Sequence, residues 1–295
     1  MLINQYKHLI HSTRHFENLN IQAGSDYRYQ DILSLESFEL ANKEISSWDG
    51  YESTPLHSLS DLASDSGVSL IAYKDESHRF SLKSFKALGG AYAVANLLIK
   101  KLNEQGIEAN SFDLIAGTYS EITSKITVCC ATDGNHGRSV AWGAEKFGCN
   151  CEIYIHRTVS VVREEAIAKY GAIVNRIKGN YDESVRTAAD VAEANGYYIV
   201  SDTSYEGYTD IPKDVMQGYT VMVDEAMKQM EEVPTHVFLQ GGVGGFPAAV
   251  VSYLVESLDC PPIFVVIEPT NANCLFQSAV NGEPTVVHGD LDTVM

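Results

Sequence analysis

Basic residues are scarce in this chain: 21 Lys and Arg stand against 39 Asp and Glu, which gives a formal net charge of −18 at pH 7. A field of that sign repels phosphate backbones and anionic lipid surfaces, so neither nucleic acid nor a membrane is expected as a partner. Acidic surfaces also keep proteins soluble, and this ordinary explanation of the charge is favoured. The charge therefore argues against two classes of partner and indicates no particular chemistry.

Long apolar runs and paired cysteine motifs are also missing. No run is long enough to span a bilayer, and the amino-terminal stretch lacks the apolar core of a secretory signal peptide. The six cysteines include no C-x-x-C pair and no second pair of ligands at zinc-site spacing. We therefore expect a cytoplasmic protein with free thiols and without a metal centre.

Apolar, β-branched runs alternate with stretches of helical periodicity through most of the chain. This alternation is typical of a parallel sheet with helices on both faces. Such sheets bind ligands beyond the carboxyl ends of their strands, so residues that directly follow a strand are the candidates for chemistry. Strands are predicted to begin at Ser69, Ile126, Cys151, Ala172, Tyr197, His236 and Ile263, and helices to span Phe85 to Leu102, Val161 to Tyr170, Asp182 to Ala194, Asp214 to Met230 and Pro247 to Leu258.

The segment "GGVGGFP" follows a predicted strand and precedes a helix. Closely spaced glycines let backbone N–H groups converge, and the helix start adds partial positive charge, so the segment suits a phosphate. A tight turn would explain one or two glycines but explains poorly four in five positions. An anion site is therefore predicted, formed by Gly241, Gly242, Val243, Gly244 and Gly245.

A nicotinamide cofactor is the weaker alternative for this segment. Glu268 closes the next strand at roughly the 20-residue offset expected of a ribose-binding acid. However, the motif G-x-G-x-x-G cannot be laid on the segment, because Pro247 stands where the third glycine should be.

The segment "SLKSFKALGGAYA" contains two lysines three positions apart. Lys83 has serines nearby and is expected to face solvent. Lys86 runs into small apolar residues that would desolvate its ammonium, lower its pKa and make a Schiff base with an aldehyde feasible. Most helical lysines lie on the surface, so the sequence alone makes Lys86 only a candidate. A phosphate site together with a desolvated lysine matches pyridoxal phosphate, whose two ends need those two features.

The third segment, "TDGNHG", joins a predicted strand to a helix. Asn135 is placed to hydrogen-bond a ring substituent, and the glycines around it let the main chain approach a flat cofactor or a carboxylate. Asp133 is either an N-cap of the helix or a participant in the chemistry. The residues alone favour neither interpretation.

Taken in order, "SFKALGGAYA", "ATDGNHG", "SDTSYEGYTDIPKDVMQGYTVM" and "QGGVGGF" resemble the fold-type-II pyridoxal-phosphate enzymes, and among these the diaminopropionate ammonia-lyases. The likeness runs from about Tyr51 to the end of the chain. It implies an α/β fold with a parallel sheet flanked by helices and a smaller nested α/β domain. The predicted division is residues 1–88 and 177–295 for the large domain and 89–176 for the small one, with the cofactor in the cleft and a homodimer as the assembly.

The resemblance also implies roles for individual residues. Lys86 would bind the cofactor aldehyde and return as an acid and base, Asn135 would lie beside the ring 3-hydroxyl, and residues 241–245 would hold the phosphate. Asp133 is implied as a base, notably for the D-isomer, and Asp202 as a second acid near the substrate. The implied reaction is α,β-elimination of 2,3-diaminopropionate to pyruvate and ammonia. A carboxylate at position 133 suits the extra ammonium of that substrate.

Family members are expected to continue beyond the point that corresponds to Met295, into segments that face the pyridine nitrogen. Three alternatives therefore stay open beside the ammonia-lyase. They are a remnant that binds the cofactor or a partner without turnover, another lyase of the serine and threonine dehydratase type, and a nicotinamide-dependent enzyme.

Overall fold

The computed structural model describes residues 13–18, 33–132 and 134–287. In these ranges the helices are α1 Leu35–Ser46, α2 Ser60–Ser66, α3 Lys86–Asn103, α4 Ser111–Ile115, α5 Ser120–Thr123, α6 Asn135–Phe147, α7 Val161–Ala168, α8 Tyr181–Asn195, α9 Asp210–Gln229, α10 Gly245–Ser257 and α11 Cys274–Asn281. The strands are β1 Leu56–Ser58, β2 Ala72–Lys74, β3 Thr127–Thr132, β4 Asn150–Ile155, β5 Ile173–Arg176, β6 Tyr198–Ile199, β7 His236–Gln240 and β8 Ile263–Ile267. A 3-10 segment spans Glu76–Ser81.

Four parallel strands form a sheet in the order β5-β4-β3-β6. Helices cover both of its faces, as the side chains of two adjacent residues on β3 show. Cys130 packs in the main core with Val140 of α6, whereas Cys129 packs in a separate cluster with Ala188 and Ala192 of α8. Because successive strand residues point to opposite faces, β3 is buried on both sides, which explains its continuous apolar run.

Two smaller sheets complete the strand pairing. Strands β7 and β8 are parallel and pair from His236 with Ile263 to Gln240 with Ile267. Strands β1 and β2 are antiparallel. The strand predicted from Ser69 therefore forms in part, as β2, but it lies outside the parallel sheet because α2 reverses the chain and returns it beside β1.

The backbone of α3 comes very close to those of α6 and α9 at two glycine contacts. A Cβ on Gly143 would lie 2.8 Å from the Cα of Ala91, and one on Gly218 would lie 2.8 Å from the Cα of Gly89. Both distances are too short for a real Cβ. The small residues that follow Lys86 in the sequence are therefore required by helix packing.

The predicted α/β architecture, a parallel sheet flanked by helices, is confirmed, and the long predicted helices match α3, α8, α9 and α10. The division into two domains stays a prediction. Within the described ranges no helix is both long and apolar enough to cross a membrane. The same part of the chain contains no group of three or more His, Cys, Asp and Glu side chains that could hold a metal ion.

Candidate active site

The chain enters the candidate site through a strained stretch just before α3. Phe80, Ser81 and Lys83 have φ values of 46°, 59° and 58°. Residues other than glycine rarely adopt this left-handed conformation, and it persists only where the surrounding structure holds it. The stretch delivers Lys86 as the first residue of α3, and Lys83 is exposed, as predicted.

A buried ionic cluster holds the start of this stretch. The guanidinium of Arg79 donates to Glu76 Oε1 at 2.8 Å and to Glu225 Oε2 at 2.7 Å, and the ammonium of Lys74 lies 2.8 Å from the same Glu225 oxygen. Although burial alone would raise it, the pKa of Glu225 is lowered to about 2, chiefly by Arg79. The cluster ties the segment that precedes Lys86 to α9.

Lys86 is paired with Asp202, which lies three residues beyond the end of β6. Lys86 Nζ lies 2.5 Å from Asp202 Oδ2, and the two side chains are 20% and 14% exposed. Burial alone would lower the pKa of Lys86, but interactions with Tyr219 and Asp202 raise it above its usual value. The expectation of a lowered lysine pKa is therefore wrong, because it took account of desolvation and not of the facing carboxylate.

Asp202 is itself held as an anion. Burial would raise its pKa, but His136 and Lys86 lower it well below the usual range. The backbone beside it is fixed by Tyr208, whose hydroxyl donates to the carbonyl of Ile199 at 2.8 Å and accepts from the N–H of Ser201 at 2.9 Å. The Tyr208 hydroxyl thus holds the backbone between the end of β6 and Asp202 in place.

The "TDGNHG" segment leads into helix α6, whose start lies beside Lys86 and Asp202. Gly134 is its N-cap and Asn135, whose side chain is exposed, is its first residue. Ser139 on this helix donates a hydrogen bond to the carbonyl of Lys86 at 2.6 Å, so the start of α6 is anchored to the start of α3. Asp133 lies outside the described residues, and its predicted role stays a prediction.

The glycine segment 241–245 follows β7 and leads into α10. A Cβ on Gly245 would lie 3.1 Å from the carbonyl oxygen of Asp202. The ring of Phe246 lies 4.7 Å from the ring of Phe85, the residue before Lys86. The structure therefore places the predicted lysine, the predicted second acid and the glycine segment next to one another. Gly244 caps α10 without a side-chain hydrogen bond, which leaves first-turn N–H groups available to an anion.

Glu268 has a structural role. Its carboxylate accepts the N–H of Leu275 at 2.9 Å and that of Phe276 at 2.7 Å, at the start of α11. The acid that suggested a ribose site is thus engaged in capping a helix, which removes the main argument for a nicotinamide cofactor.

Two site residues were missed by the sequence reasoning. The hydroxyl of Tyr219 and Nδ1 of His136 are buried and have no hydrogen-bond partner in the described ranges. Lys86 Nζ lies 5.4 Å from the centre of the Tyr219 ring. His136 lies within "TDGNHG" and Tyr219 within "SDTSYEGYTDIPKDVMQGYTVM", but no local pattern gives a role to either residue. Tyr219 reaches the site because α9 packs against α3.

Comparison with known proteins identifies pyridoxal-phosphate-dependent enzymes as relatives of this chain. The family described as pyridoxal-phosphate dependent enzyme matches residues 48–295. Diaminopropionate ammonia-lyase of Escherichia coli strain K12 is 42% identical over 268 residues, which cover 90% of this chain and 66% of that protein. The chain therefore spans just under two thirds of the length of this relative.

Solved structures agree in fold. The holo form of Escherichia coli diaminopropionate ammonia-lyase superposes with a TM-score of 0.84 at 37% identity, covering 92% of this chain and 68% of that one. The complex of the same enzyme with D-serine gives a TM-score of 0.84 at 37% identity, covering 94% and 70%. The fold is that of the fold-type-II pyridoxal-phosphate enzymes, as predicted.

Proposed function

Because the chain belongs to the family of pyridoxal-phosphate-dependent enzymes, we propose that it eliminates ammonia from 2,3-diaminopropionate to give pyruvate. One observation carries this proposal: the ion pair of Lys86 with Asp202, at 2.5 Å, lies beside a glycine segment that opens a helix. The name and the 42% identity of the Escherichia coli relative support the choice of substrate.

The residues present fit pyridoxal phosphate. Lys86 would bind its aldehyde, residues 241–245 would hold its phosphate and Asn135 would contact its ring. The uncapped start of α10 offers backbone donors for the phosphate. The buried hydroxyl of Tyr219 is a further polar group beside Lys86. A packed apolar core would not leave these groups unsatisfied.

The cofactor, when bound, supplies an electron sink for the carbanion that forms when the α-proton leaves the substrate. Lys86 Nζ takes and returns that proton on one face of the substrate. Asp133 is proposed as the base on the opposite face and as the partner of the substrate β-ammonium. Asp202 holds the Lys86 amine in position through its Oδ2. The substrate loses its β-amino group as ammonia, and water releases the second amino group to leave pyruvate.

Absorbance spectroscopy tests cofactor binding and turnover together. The purified chain is mixed with pyridoxal phosphate, scanned, and then given D,L-2,3-diaminopropionate while pyruvate is assayed. We expect a visible band on mixing and pyruvate afterwards. Lys86→Ala should lose both, whereas Lys83→Gln, which alters the exposed lysine three positions earlier, should keep both. A band without pyruvate would reject the elimination and leave a chain that only binds the cofactor.

Separate assays of the two enantiomers test Asp133. In Asp133→Asn we expect turnover of the D-isomer to be lost while the visible band stays. Unchanged turnover of the D-isomer would rule out Asp133 as its base.

D-serine is the competing substrate, because a related enzyme has been solved with it. A carboxylate pairs more strongly with an ammonium than with a hydroxyl, so the diamino acid should give the higher kcat/KM. A higher kcat/KM for D-serine would reassign the enzyme to the dehydratase type.

The proposed setting is a homodimer in the cytoplasm. All six cysteines are free, which suits a reducing compartment. Phe238, Ile263 and Ile267 on strands β7 and β8 are more than half exposed at 65%, 58% and 56%, and such apolar surface favours association. Light scattering of the purified chain tests the dimer, and a monomer over the micromolar range would reject it.

A further inference from the structure

His136 is buried at the start of α6, one residue after Asn135. Its Nε2 lies 2.8 Å from the carbonyl oxygen of Val200. A carbonyl oxygen only accepts, so Nε2 carries a proton. The other ring nitrogen, Nδ1, makes no hydrogen bond to the described residues and lies 3.8 Å from Asp202 Oδ2. A neutral ring in this tautomer would direct a lone pair at a carboxylate.

The carboxylate oxygen that His136 faces is the one that binds Lys86. Asp202 Oδ2 lies 2.5 Å from Lys86 Nζ and 3.8 Å from His136 Nδ1. A buried lone pair facing an anion is unfavourable, whereas a proton on Nδ1 turns the same approach into an attraction. We propose that His136 carries a proton on Nδ1 and, as a charged positioning residue, neutralises Asp202 when Lys86 gives up its own charge.

The chemistry proposed for Lys86 requires such a group. An ammonium has no lone pair, so it can neither attack an aldehyde nor accept the α-proton. Asp202 stabilises that ammonium and therefore opposes its deprotonation. A positively charged His136 also interacts with the carboxylate of Asp202. The ammonium of Lys86 is then stabilised less by that carboxylate and loses its proton more readily. The inference thus rests on the proposed cofactor chemistry at Lys86, but the charge on His136 can be measured without the cofactor.

The groups around His136 are consistent with this assignment. Lys86 faces the site from α3 and Asp202 from the end of β6, while Cys130 lies on β3. Burial raises the pKa of the Cys130 thiol, which keeps it uncharged. Arg163 of α7 lies beside Gly134, and Arg138 lies on the same helix as His136. Asp133 precedes this helix in sequence and lies outside the described residues.

Nuclear magnetic resonance of the histidine rings tests the charge directly. The chain is labelled with ¹⁵N-histidine and studied without cofactor, and His136→Gln identifies the signals of His136 by their disappearance. At about pH 7 we expect both ring nitrogens of His136 to carry a proton. Asp202→Asn removes the facing anion, so the same measurement should find Nδ1 without its proton in that variant. An Nδ1 without a proton from about pH 6 to 8 in the wild-type chain overturns the proposal.

The pH dependence of cofactor capture tests the consequence for Lys86. The rate at which the visible band forms with pyridoxal phosphate is measured over a pH series. His136→Gln keeps a donor near the carbonyl of Val200 but cannot carry a charge, so its profile should shift by about one unit to higher pH, making capture about tenfold slower near pH 7. His136→Asn is the second variant, should the first fail to fold.

Ser139→Ala is the matched control, because Ser139 contacts the backbone of Lys86 and carries no charge. It should change the rate at all pH values without moving the profile. An unmoved profile in both His136 variants overturns the proposal. Absence of a band in the wild-type chain at every pH contradicts the proposed function instead, and the resonance experiment still decides the charge of His136.

Discussion

Arg79 donates a hydrogen bond to each carboxylate oxygen of Glu225, with Nη1 2.8 Å from Oε1 and Nη2 2.7 Å from Oε2. Both side chains are buried, at 0% and 5% exposure. The planar guanidinium suits this two-point arrangement, which gives direction as well as energy. Because Glu225 belongs to α9 and Arg79 precedes the strained stretch before Lys86, the pair fixes the approach of the chain to the candidate site.

Arg79→Leu should lower the free energy of unfolding by about 3 to 5 kcal/mol, because it leaves Glu225 buried without this partner. Urea titration followed by circular dichroism measures the change. Lys228→Met is the control on the same helix, since it removes a lysine that is 68% exposed from its pair with Asp224 and should cost less than about 1 kcal/mol. If both variants lost the same free energy of unfolding, the buried pair of Arg79 with Glu225 would stabilise the fold no more than the exposed pair does.

Asp214 should make stability depend on pH in an unusual direction. Burial raises its pKa from 3.8 to about 6. Between those values the folded chain keeps a proton that the unfolded chain has lost, so stability falls as pH rises through this window. Asp214→Asn should therefore be more stable than the wild type at about pH 7, with the difference vanishing near pH 4.

Thermal unfolding over that pH series measures the effect of Asp214. Asp210→Asn, four residues earlier, is the control because its side chain is 76% exposed. Asp210 is a lesser cause of the raised pKa of Asp214 than burial is. The gain in stability of Asp210→Asn over the wild type between pH 4 and 6 should therefore be much smaller than that of Asp214→Asn. A constant difference between Asp214→Asn and the wild type at every pH would show that Asp214 does not titrate in this window.

Tyr208→Phe should loosen the segment that carries Asp202. It leaves the N–H of Ser201 and the carbonyl of Ile199 without the hydroxyl that joins them, at a cost of about 1 to 3 kcal/mol. Tyr205→Phe alters a neighbouring tyrosine that is 56% exposed, and it should change stability by less than about 0.5 kcal/mol. Urea midpoints of both variants are compared, and similar midpoints would show that the Tyr208 hydroxyl does not hold this segment.

The thiols should react in an order set by burial. Cys260 is exposed, whereas Cys130 and Cys151 are buried and have pKa values well above the usual one. The thiolate is the reactive species, so Ellman's reagent should label Cys260 in the native chain and the two buried thiols only on unfolding. Mass spectrometry of the labelled peptides identifies the sites. Early labelling of Cys130 would contradict its place in the core.

Elements buried on both faces could be predicted from the sequence. The apolar run from Ile126 predicts a strand, and β3 spans Thr127–Thr132. Its apolar character is continuous because helices cover both sides of the sheet. The alternating pattern places the strand from Ser69 with the parallel strands, whereas β2 pairs with β1, because strand partners depend on the path of the chain through α2 and not on local residue preference.

The site was partly predictable for a similar reason. The glycine segment stands at a strand-to-helix junction and Lys86 is the first residue of a helix, and a short motif marks each of them. The state of Lys86 was not predictable, because Asp202 is 116 residues away along the chain and only the folded backbone brings its carboxylate to the amine. Local neighbours predict desolvation, while the partner that outweighs desolvation is set by tertiary structure.

The contact of α3 with α6 and α9 through Gly89, Gly143 and Gly218 has a mechanical consequence. At these contacts backbone meets backbone with no side chain between them, so sliding or rolling of α3 against its neighbours would bring backbone atoms into collision. Lys86 therefore moves as part of one rigid block together with the start of α6. Any opening of the site must come from the segments around this block, and sequence drift should be slowest at the three glycines that make it rigid.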